Sequence, residues 1–435
     1  MDYESKVISV EEALTKVKSG DVIVTGLGAA EAGAFMGKLH TIADRVKDVT
    51  VTNCLPTHPS ELYNEEYVDS FRVSGWFFAP QMRKAHAHGN MAFIPNHLHL
   101  AAYKRLFHKK PNIYVGVATM PDKHGYVSLS VSNTYEQRMI EAADLVILEI
   151  NPHFPYVFGD VQVPVSDVDY MIKVDYMPPV VPDMPFSEKD AQIGKYIAEM
   201  VPDGACIQLG IGGIPNAVAD ALKEKNDLGV HTEMLTTGMM KLAKLGVITG
   251  KKKQINKGKM VATFAMGEAE LYEFMDYNPA VEIRDGAWVN DPYTIAQNDN
   301  MVSINTSLEV DLTGQCASES LGSRQFSGTG GQADTAIGAQ MSKNGKSIIA
   351  LYSTAMVRVE DGQKHEVSKI VTQLMPGAAV SLSRNDVDRV VTEYGVAELR
   401  GTDLIDRVER LIAIAHPKFR EQLREDAVRV GILGR

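Results

Sequence analysis

The residues of this chain whose types and spacing suit chemistry gather between Cys206 and Gly238. A short apolar run, Ala205 to Leu209, leads into the glycine turn Gly210-Ile211-Gly212-Gly213, and a helix-like stretch follows from Ile214 to Leu222. A second β-like run, Val230 to Thr232, then delivers one acid, Glu233. Glycines let main-chain N–H groups approach an anion or a developing oxyanion closely. A carboxylate at a strand end beside such a loop can serve as nucleophile or base, and in open α/β sheets chemistry collects at the carboxyl ends of strands. In isolation the same acid reads more readily as an exposed strand-end residue, and its place beside the glycine loop is what favours chemistry. The dinucleotide pattern G-x-G-x-x-G is not completed, because position 215 is Pro, and no P-loop pattern occurs. Both points argue against a nicotinamide enzyme and a standard nucleoside triphosphatase.

Other stretches carry weaker signals. Gln208 places an amide at the end of an apolar strand, where it needs partners. It positions the Glu233 carboxylate or a substrate carboxylate, or it makes an ordinary strand-end bond. Ser327-Gly328-Thr329-Gly330-Gly331-Gln332 has too many glycines for a helix interior or a good strand. It reads as a flexible loop or as a second cradle of backbone N–H groups. The stretch 383–401 crowds Arg384, Asp386, Asp388, Glu393 and Glu398 around an apolar strand, as an ion-pair network or as substrate contacts. In the first half Trp76, Arg83 and the histidines His86, His88, His97 and His99 stand out as substrate-pocket or packing residues. The histidines lack the i, i+4 spacing of a helical zinc site and have no cysteine nearby, so no metal is expected.

These residues need elements to position them. With 435 residues, two domains and possibly a third are expected. Apolar β-like runs (Val22–Thr25, Val49–Thr52, 145–150) alternate with helical patterns such as 9–18, Ala29 to Leu39 and Asn133 to Ala143, which points to α/β with a largely parallel sheet. The prolines of 177–185 mark a linker, giving expected domains at 1–185 and 186–435. Setting Gly20 on Gly204 aligns 19–39 with 203–223 without a gap, and a short gap then sets Val49–Thr52 on Val230–Glu233. This weak repeat implies two domains of related build, with the acid in one of them only. In the second half, 387–399 reads as a strand passing into a helix. The net charge of −11 argues against a nucleic-acid or anionic-membrane surface. No run approaches a spanning helix, the start lacks a signal-peptide pattern, and three scattered cysteines give no disulfide framework. A reduced cytoplasm is the expected location, and plain packing the expected role of each cysteine.

Taken together, the motifs QLGIGGIPNAV (208–218), HTEML (231–235), MVATFAMG (260–267), NTSLEVDLTGQ (305–315), QFSGTGGQAD (325–334) and VTEYGVAELRG (391–401) resemble the 4-hydroxybutyrate CoA-transferases of the acetyl-CoA hydrolase/transferase family, along essentially the whole chain. The resemblance implies two open α/β domains of similar topology with the active site at their interface. It implies a nucleophilic glutamate at Glu233, and CoA contacts at Gly210, Ile211, Gly212, Gly213 and Ile214. It further implies an oxyanion hole from Gly331 and the backbone of Ile211, and CoA contacts near Ser327, Gly330 and Lys343. Trp76, Arg83 and His86 become candidates for the acid pocket. The implied reaction exchanges CoA between acetyl-CoA, or a similar short acyl-CoA, and a short-chain monocarboxylate such as 4-hydroxybutyrate or butyrate. It needs no metal or tightly bound cofactor; coenzyme A enters as part of the substrate. A homodimer or homotetramer is carried over from the family. Two alternatives stand beside this: an acyl-CoA hydrolase, and a silent CoA- or sugar-phosphate-binding sensor, against which the intact Glu233 weighs.

Overall fold

The structure is a computed structural model and describes residues 3–87, 89–358 and 362–434. The chain forms two compact units. The first takes Met1–Pro182 together with Thr232–Met240 and Lys259–Asp291, and the second takes Asp183–His231, Lys241–Gly258 and Pro292–Arg435. The change at 182/183 falls in the proline-rich stretch, which has no regular structure.

In chain order the first stretch contains α1 (Val10–Leu14), β1 (Val22–Thr25), α2 (Gly33–Lys38), β2 (Val49–Thr52), β3 (Phe71–Gly75), α3 (Pro80–Ala87), β4 (Met91–Phe93), α4 (Ala101–His108) and β5 (Ile113–Ala118). Then come β6 (Tyr126–Ser128), α5 (Glu136–Ala142), β7 (Leu145–Ile150), β8 (Phe158–Gly159), β9 (Gln162–Pro164) and β10 (Tyr170–Lys173). Seven strands form a parallel sheet in the order β10-β7-β5-β1-β2-β3-β4. Every residue of β1 and β5 is buried, which is why these strands read as continuous apolar runs: a parallel sheet covered on both faces has no polar side to show. Ala13, Leu14 and Val17 from the first helical segment pack with Phe35 and Met36 of α2 against Ile23, Val49 and Val51.

The chain leaves β1 toward β2 on one side and later returns to β5 on the other. Such a reversal leaves a crevice at the carboxyl ends of the two central strands. The turn Gly26-Leu27-Gly28 stands there. The helix expected over Ala29–Leu39 is correspondingly shorter. A 3₁₀ turn occupies Gly28–Ala30, and α2 starts only at Gly33. The cause is Glu31, which is buried and turns its carboxylate onto the Thr57 and His58 N–H groups at 2.7 and 2.9 Å rather than continuing a helix surface.

The chain continues through α6 (Glu188–Met200), β11 (Cys206–Leu209), α7 (Gly213–Ala221), β12 (Gly229–Leu235), α8 (Thr237–Lys244), β13 (Met260–Ala265), α9 (Ala269–Met275), β14 (Val281–Ile283), α10 (Gly286–Val289) and β15 (Met301–Thr306). In the second unit the parallel order is Arg389–Thr392, Lys346–Ala350, β15, β11, β12. The relation β15-β11-β12 repeats β5-β1-β2, so the repeat read in the sequence has a counterpart in strand order. Its register is offset: Val22 faces Thr50, whereas Cys206 faces Gly229. Strand β12 itself begins in the second unit and ends in the first. In the first unit β13 pairs with β14, and β14 with β8.

One expectation is corrected. Residues 387–399 do not pass into a helix but form a hairpin, Arg389–Thr392 against Gly395–Glu398, because Gly395 adopts φ +139° and turns the chain back. The acidic and basic residues around it form the ion-pair network: buried Asp388 lies 2.7 Å from Arg389 and 2.6 Å from Arg400. Glu393 accepts from the Ser353 N–H and hydroxyl at 2.8 and 2.7 Å. Cys54, Cys206 and Cys316 are all buried, and burial pushes Cys54 up to about 12 and Cys206 up to about 11.

The start of α2 is held by a second buried acid. Glu149 accepts from the Phe35 and Ala34 N–H groups at 2.7 and 3.2 Å and from the Tyr176 hydroxyl at 2.6 Å. Burial raises its pKa from 4.5 to about 7, with these bonds opposing and the Glu31 charge adding to the rise. A carboxyl with a raised folded pKa binds its proton more tightly in the folded chain, so its contribution is full below about 4.5 and is lost as pH rises through about 7. We therefore expect urea-unfolding stability to fall between about pH 5 and about pH 8. Glu149→Gln should reduce that fall by on the order of 1–3 kcal/mol. An unchanged pH slope in the variant would show that Glu149 is not its source.

Candidate active site

Glu233 sits near the end of β12, half-buried. Its Oε2 accepts a hydrogen bond from Asn290 Nδ2 at 3.1 Å. Asn290 is fully buried and caps the carboxyl end of α10, its N–H on the Gly286 carbonyl at 3.0 Å. The placement of α10 follows from its first residues. The Asp285 side chain accepts from the Ala287 N–H at 3.0 Å and pairs with Arg138, whose Nε lies 2.8 Å away. Gly286 donates its N–H to the Asn133 carbonyl at 3.0 Å. A Cβ at Gly286 would come within 2.5 Å of the Thr134 carbonyl, so only glycine lets α10 seat this close.

The rest of the first unit around Glu233 is equally specific. At the end of β12, the Leu235 carbonyl accepts from the Met266 N–H at 3.2 Å. Met266 lies over Gly28, where a Cβ would come within 2.9 Å of its sulfur, and Gly28 has φ +58°. The Gly28 N–H donates to the Cys54 carbonyl at 3.1 Å. Buried Glu136 takes the Leu27 N–H at 2.9 Å and the Ser132 hydroxyl at 2.8 Å, and burial raises its pKa. The β1–α2 turn is thus fixed by main-chain bonds at the end of the sheet where chemistry is expected.

In the second unit the glycine loop follows β11. Gly212 has φ +116° and stands at the N-terminus of α7, with no side chain capping that end. A Cβ on Gly210 or Gly212 would meet nothing within 4 Å. Ile211 is exposed, Ile214 is buried, and Gly213 abuts Asp190, which a Cβ would approach to 3.0 Å. Gln208 makes strand-end bonds: its Oε1 accepts from the Ile304 N–H at 3.0 Å and from Asn305 Nδ2 at 3.3 Å. Asn305 also reaches Thr335 Oγ1 at 3.0 Å, and Thr335 donates its N–H to the Gly331 carbonyl at 2.9 Å. Gly331 is the N-cap of the helix Gln332–Met341. The structure therefore brings Gln208, the loop 210–214 and Gly330-Gly331 to the same edge of the second unit's sheet. Ser327 joins the approach to it, with its N–H on the Glu319 carbonyl at 3.0 Å and its hydroxyl on the Ser318 carbonyl at 3.3 Å.

Lys343 is not brought there. It follows the carboxyl end of Gln332–Met341, a helix that runs back against the parallel strands, so it stands at the opposite edge. Its carbonyl accepts from the Asn300 N–H just before β15, and its ammonium lies 3.8 Å from Asp299. In the first unit Trp76 is buried against Tyr135, with ring centroids 4.9 Å apart. Arg83 and His86 lie on α3, and His86 Nδ1 lies 2.8 Å from the Met91 carbonyl while its ring packs edge-on to Phe78. His97 and His99 stack on each other, and His88 lies outside the described residues. Asn290 carries no motif; its signal is the tertiary contact through Gly286 and is invisible in spacing.

Models of two family domains match the chain: the acetyl-CoA hydrolase/transferase N-terminal domain over residues 1–182 and the C-terminal domain over 267–427. The chain belongs to the acetyl-CoA hydrolase/transferase family. It is 41% identical to a succinyl-CoA:cyclohexane-1-carboxylate CoA transferase of Geobacter metallireducens, over 99% of this chain and 96% of that one. It is also 41% identical to a 4-hydroxybutyrate coenzyme A transferase of Clostridium kluyveri, over 97% of each. Its fold is similar to the crystal structure of a 4-hydroxybutyrate CoA-transferase from Porphyromonas gingivalis, with TM-score 0.79, 35% identity and 98% of both chains covered. Among the described residues no cluster of three or more His, Cys, Asp or Glu is arranged for a metal, and no helix is long and apolar enough to cross a membrane.

An amide donor to a carboxylate contributes about 1.5–3 kcal/mol. We expect Asn290→Ala to lower turnover in a CoA-transfer assay by about 10- to 100-fold while leaving the melting temperature near that of the parent. Unchanged turnover would remove Asn290 from the positioning of Glu233.

Proposed function

We propose that this protein exchanges CoA between acetyl-CoA, or a similar short acyl-CoA, and a short-chain monocarboxylate, with Glu233 as the covalent nucleophile. The observation that carries this reading is the half-buried Glu233 carboxylate held by a buried amide at a strand end. The Glu233 carboxylate attacks the thioester carbonyl, and the C–S bond breaks to give an acyl-glutamyl anhydride and CoA thiolate. The thiolate attacks the Glu233 carbonyl, forming a glutamyl-CoA thioester and releasing the first acid as its carboxylate. An incoming carboxylate runs the two steps in reverse. Splitting the exchange into covalent halves produces ping-pong kinetics.

Each attack places negative charge on a carbonyl oxygen. We assign the main-chain N–H groups of Ile211 and Gly331 to that oxyanion, and the loop Gly210–Ile214 with Ser327, Gly330 and Gly331 to the CoA moiety. Gly212 at the uncapped start of α7 and Gly331 at the start of the helix Gln332–Met341 supply suitable backbone donors. Loss of one oxyanion donor costs roughly 10²–10³ in rate. The names of the relatives support 4-hydroxybutyrate or butyrate as the partner acid and leave wider acid choice open. Residues of the first unit, Trp76 among them, are assigned to the acid pocket.

A panel of acids assayed at fixed acetyl-CoA tests the reading, with Glu233→Ala as the control. We expect transfer to short monocarboxylates, and loss of activity in a folded Glu233→Ala protein. If free CoA appears equally fast without an acceptor acid, the protein is a hydrolase and the transfer reading fails.

A further inference from the structure

The first unit contains a cavity of about 550 Å³ whose lining includes neither Glu233 nor Asn290. Its size falls within the ~300–1,000 Å³ of small-molecule sites. One wall is formed where Thr119 and Asn151 follow β5 and β7, at the carboxyl edge of the first sheet. The facing wall is the side of α9 that carries Ala269, Tyr272 and Glu273. Part of the proline-rich stretch closes a third side, and it is tied down at three points. The buried Asn151 amide donates to the Tyr176 carbonyl at 2.9 Å, the Tyr272 hydroxyl to the Pro179 carbonyl at 2.8 Å, and the Val181 N–H to the Gly267 carbonyl at 2.9 Å. Pro178 and Pro179 restrict the backbone between these points. The cavity is therefore preformed, and a ligand would not have to order this wall on binding.

The chemistry of the lining is one-sided. Phe154, Pro155, Pro178 and Tyr272 are buried and make an apolar floor. The acids on the rim are Glu273 and Asp276, both exposed. Among the described residues no lysine or arginine lines the cavity, and the His153 Nε2 is taken up by Asp175. An acid or a CoA phosphate placed here would meet two carboxylates with no lysine or arginine beside them, which disfavours it. A cation would meet the opposite.

Tyr277 supplies a platform for such a cation. Its φ is +47°, in the left-handed region that a bulky residue rarely enters, yet it is 64% exposed, so core packing does not account for its conformation. Two bonds hold it there. The Tyr277 N–H donates to the Tyr156 carbonyl at 2.9 Å, and the Tyr156 N–H donates to Asp276 Oδ1 at 2.7 Å. The Tyr156 and Tyr277 rings consequently lie 7° from parallel with centroids 5.0 Å apart, on the same rim as Asp276. Aromatic faces next to carboxylates attract ammonium groups.

We propose that this cavity binds a small amphipathic organic cation, an apolar or aromatic body carrying a protonated amine. The body rests on Phe154 and Tyr272, and the ammonium sits at the rim with Glu273, Asp276 and the Tyr277 ring. The site is distinct from the CoA-transfer chemistry and does not rest on that reading.

The test is calorimetric titration of the full chain, without CoA, using phenethylammonium and 3-phenylpropionate, a carboxylate of similar size. Phenethylammonium should saturate one site per chain, and 3-phenylpropionate should not bind. Glu273→Gln combined with Asp276→Asn should weaken the cation by ~10-fold or more. Raising NaCl from about 20 mM to about 300 mM should also weaken it, because the rim carboxylates are exposed. Tyr277→Gly keeps the left-handed backbone; it should weaken binding by ~5-fold or more and leave the melting temperature within ~3 °C of the parent. No saturable binding of phenethylammonium to the parent below ~5 mM would overturn the proposal. So would equal binding of the two probes, or a folded double variant that binds phenethylammonium as the parent does.

Discussion

One hydrogen bond organises the chemistry proposed for this molecule: the buried Asn290 amide on the Glu233 carboxylate, at 3.1 Å. A carboxylate is a flexible group, and it can act as a directed nucleophile only when it is held in one orientation. The fixing group is itself fixed. Asn290 caps a four-residue helix whose first glycine sits against the Thr134 carbonyl more closely than any Cβ would permit. The orientation of Glu233, the proposed nucleophile, therefore depends on a glycine more than fifty positions away in sequence.

The same economy recurs around the first sheet. Three buried acids, Glu31, Glu136 and Glu149, form no ion pair among the described residues; each instead accepts main-chain N–H groups from the turns that follow β1 and β2. Burial raises all three pKa values. The carboxyl edge of the sheet is thus held by buried acids that fix the main chain of its turns.

Much of this was legible in the sequence, and for identifiable reasons. Val22–Thr25 and Val49–Thr52 announce themselves because a parallel sheet buried on both faces tolerates few polar residues. The loop 210–214 is visible because a φ of +116° at Gly212 demands glycine. Glu233 is visible because it is the acid near the end of its strand. What stayed hidden depends on contacts distant in sequence. The return of β12, β13 and α10 to the first unit leaves no local trace, so Asn290 looks like an ordinary polar residue after a short helix. The hairpin 389–398 mimics a helix because its apolar residues fall at spacings that both structures allow, and Gly395 alone decides. Lys343 follows the glycine motif in sequence but is carried to the other edge by the helix between them.

The most direct test of the account is to trap the covalent intermediate. The protein is incubated with acetyl-CoA in the absence of acceptor acid, treated with borohydride or hydroxylamine, and its peptides are mapped by mass spectrometry. The account predicts a single modified acid, Glu233, and loss of activity in step with its modification. Modification at Glu268 or Glu393 instead, or steady turnover with Glu233 left unmodified, would contradict it.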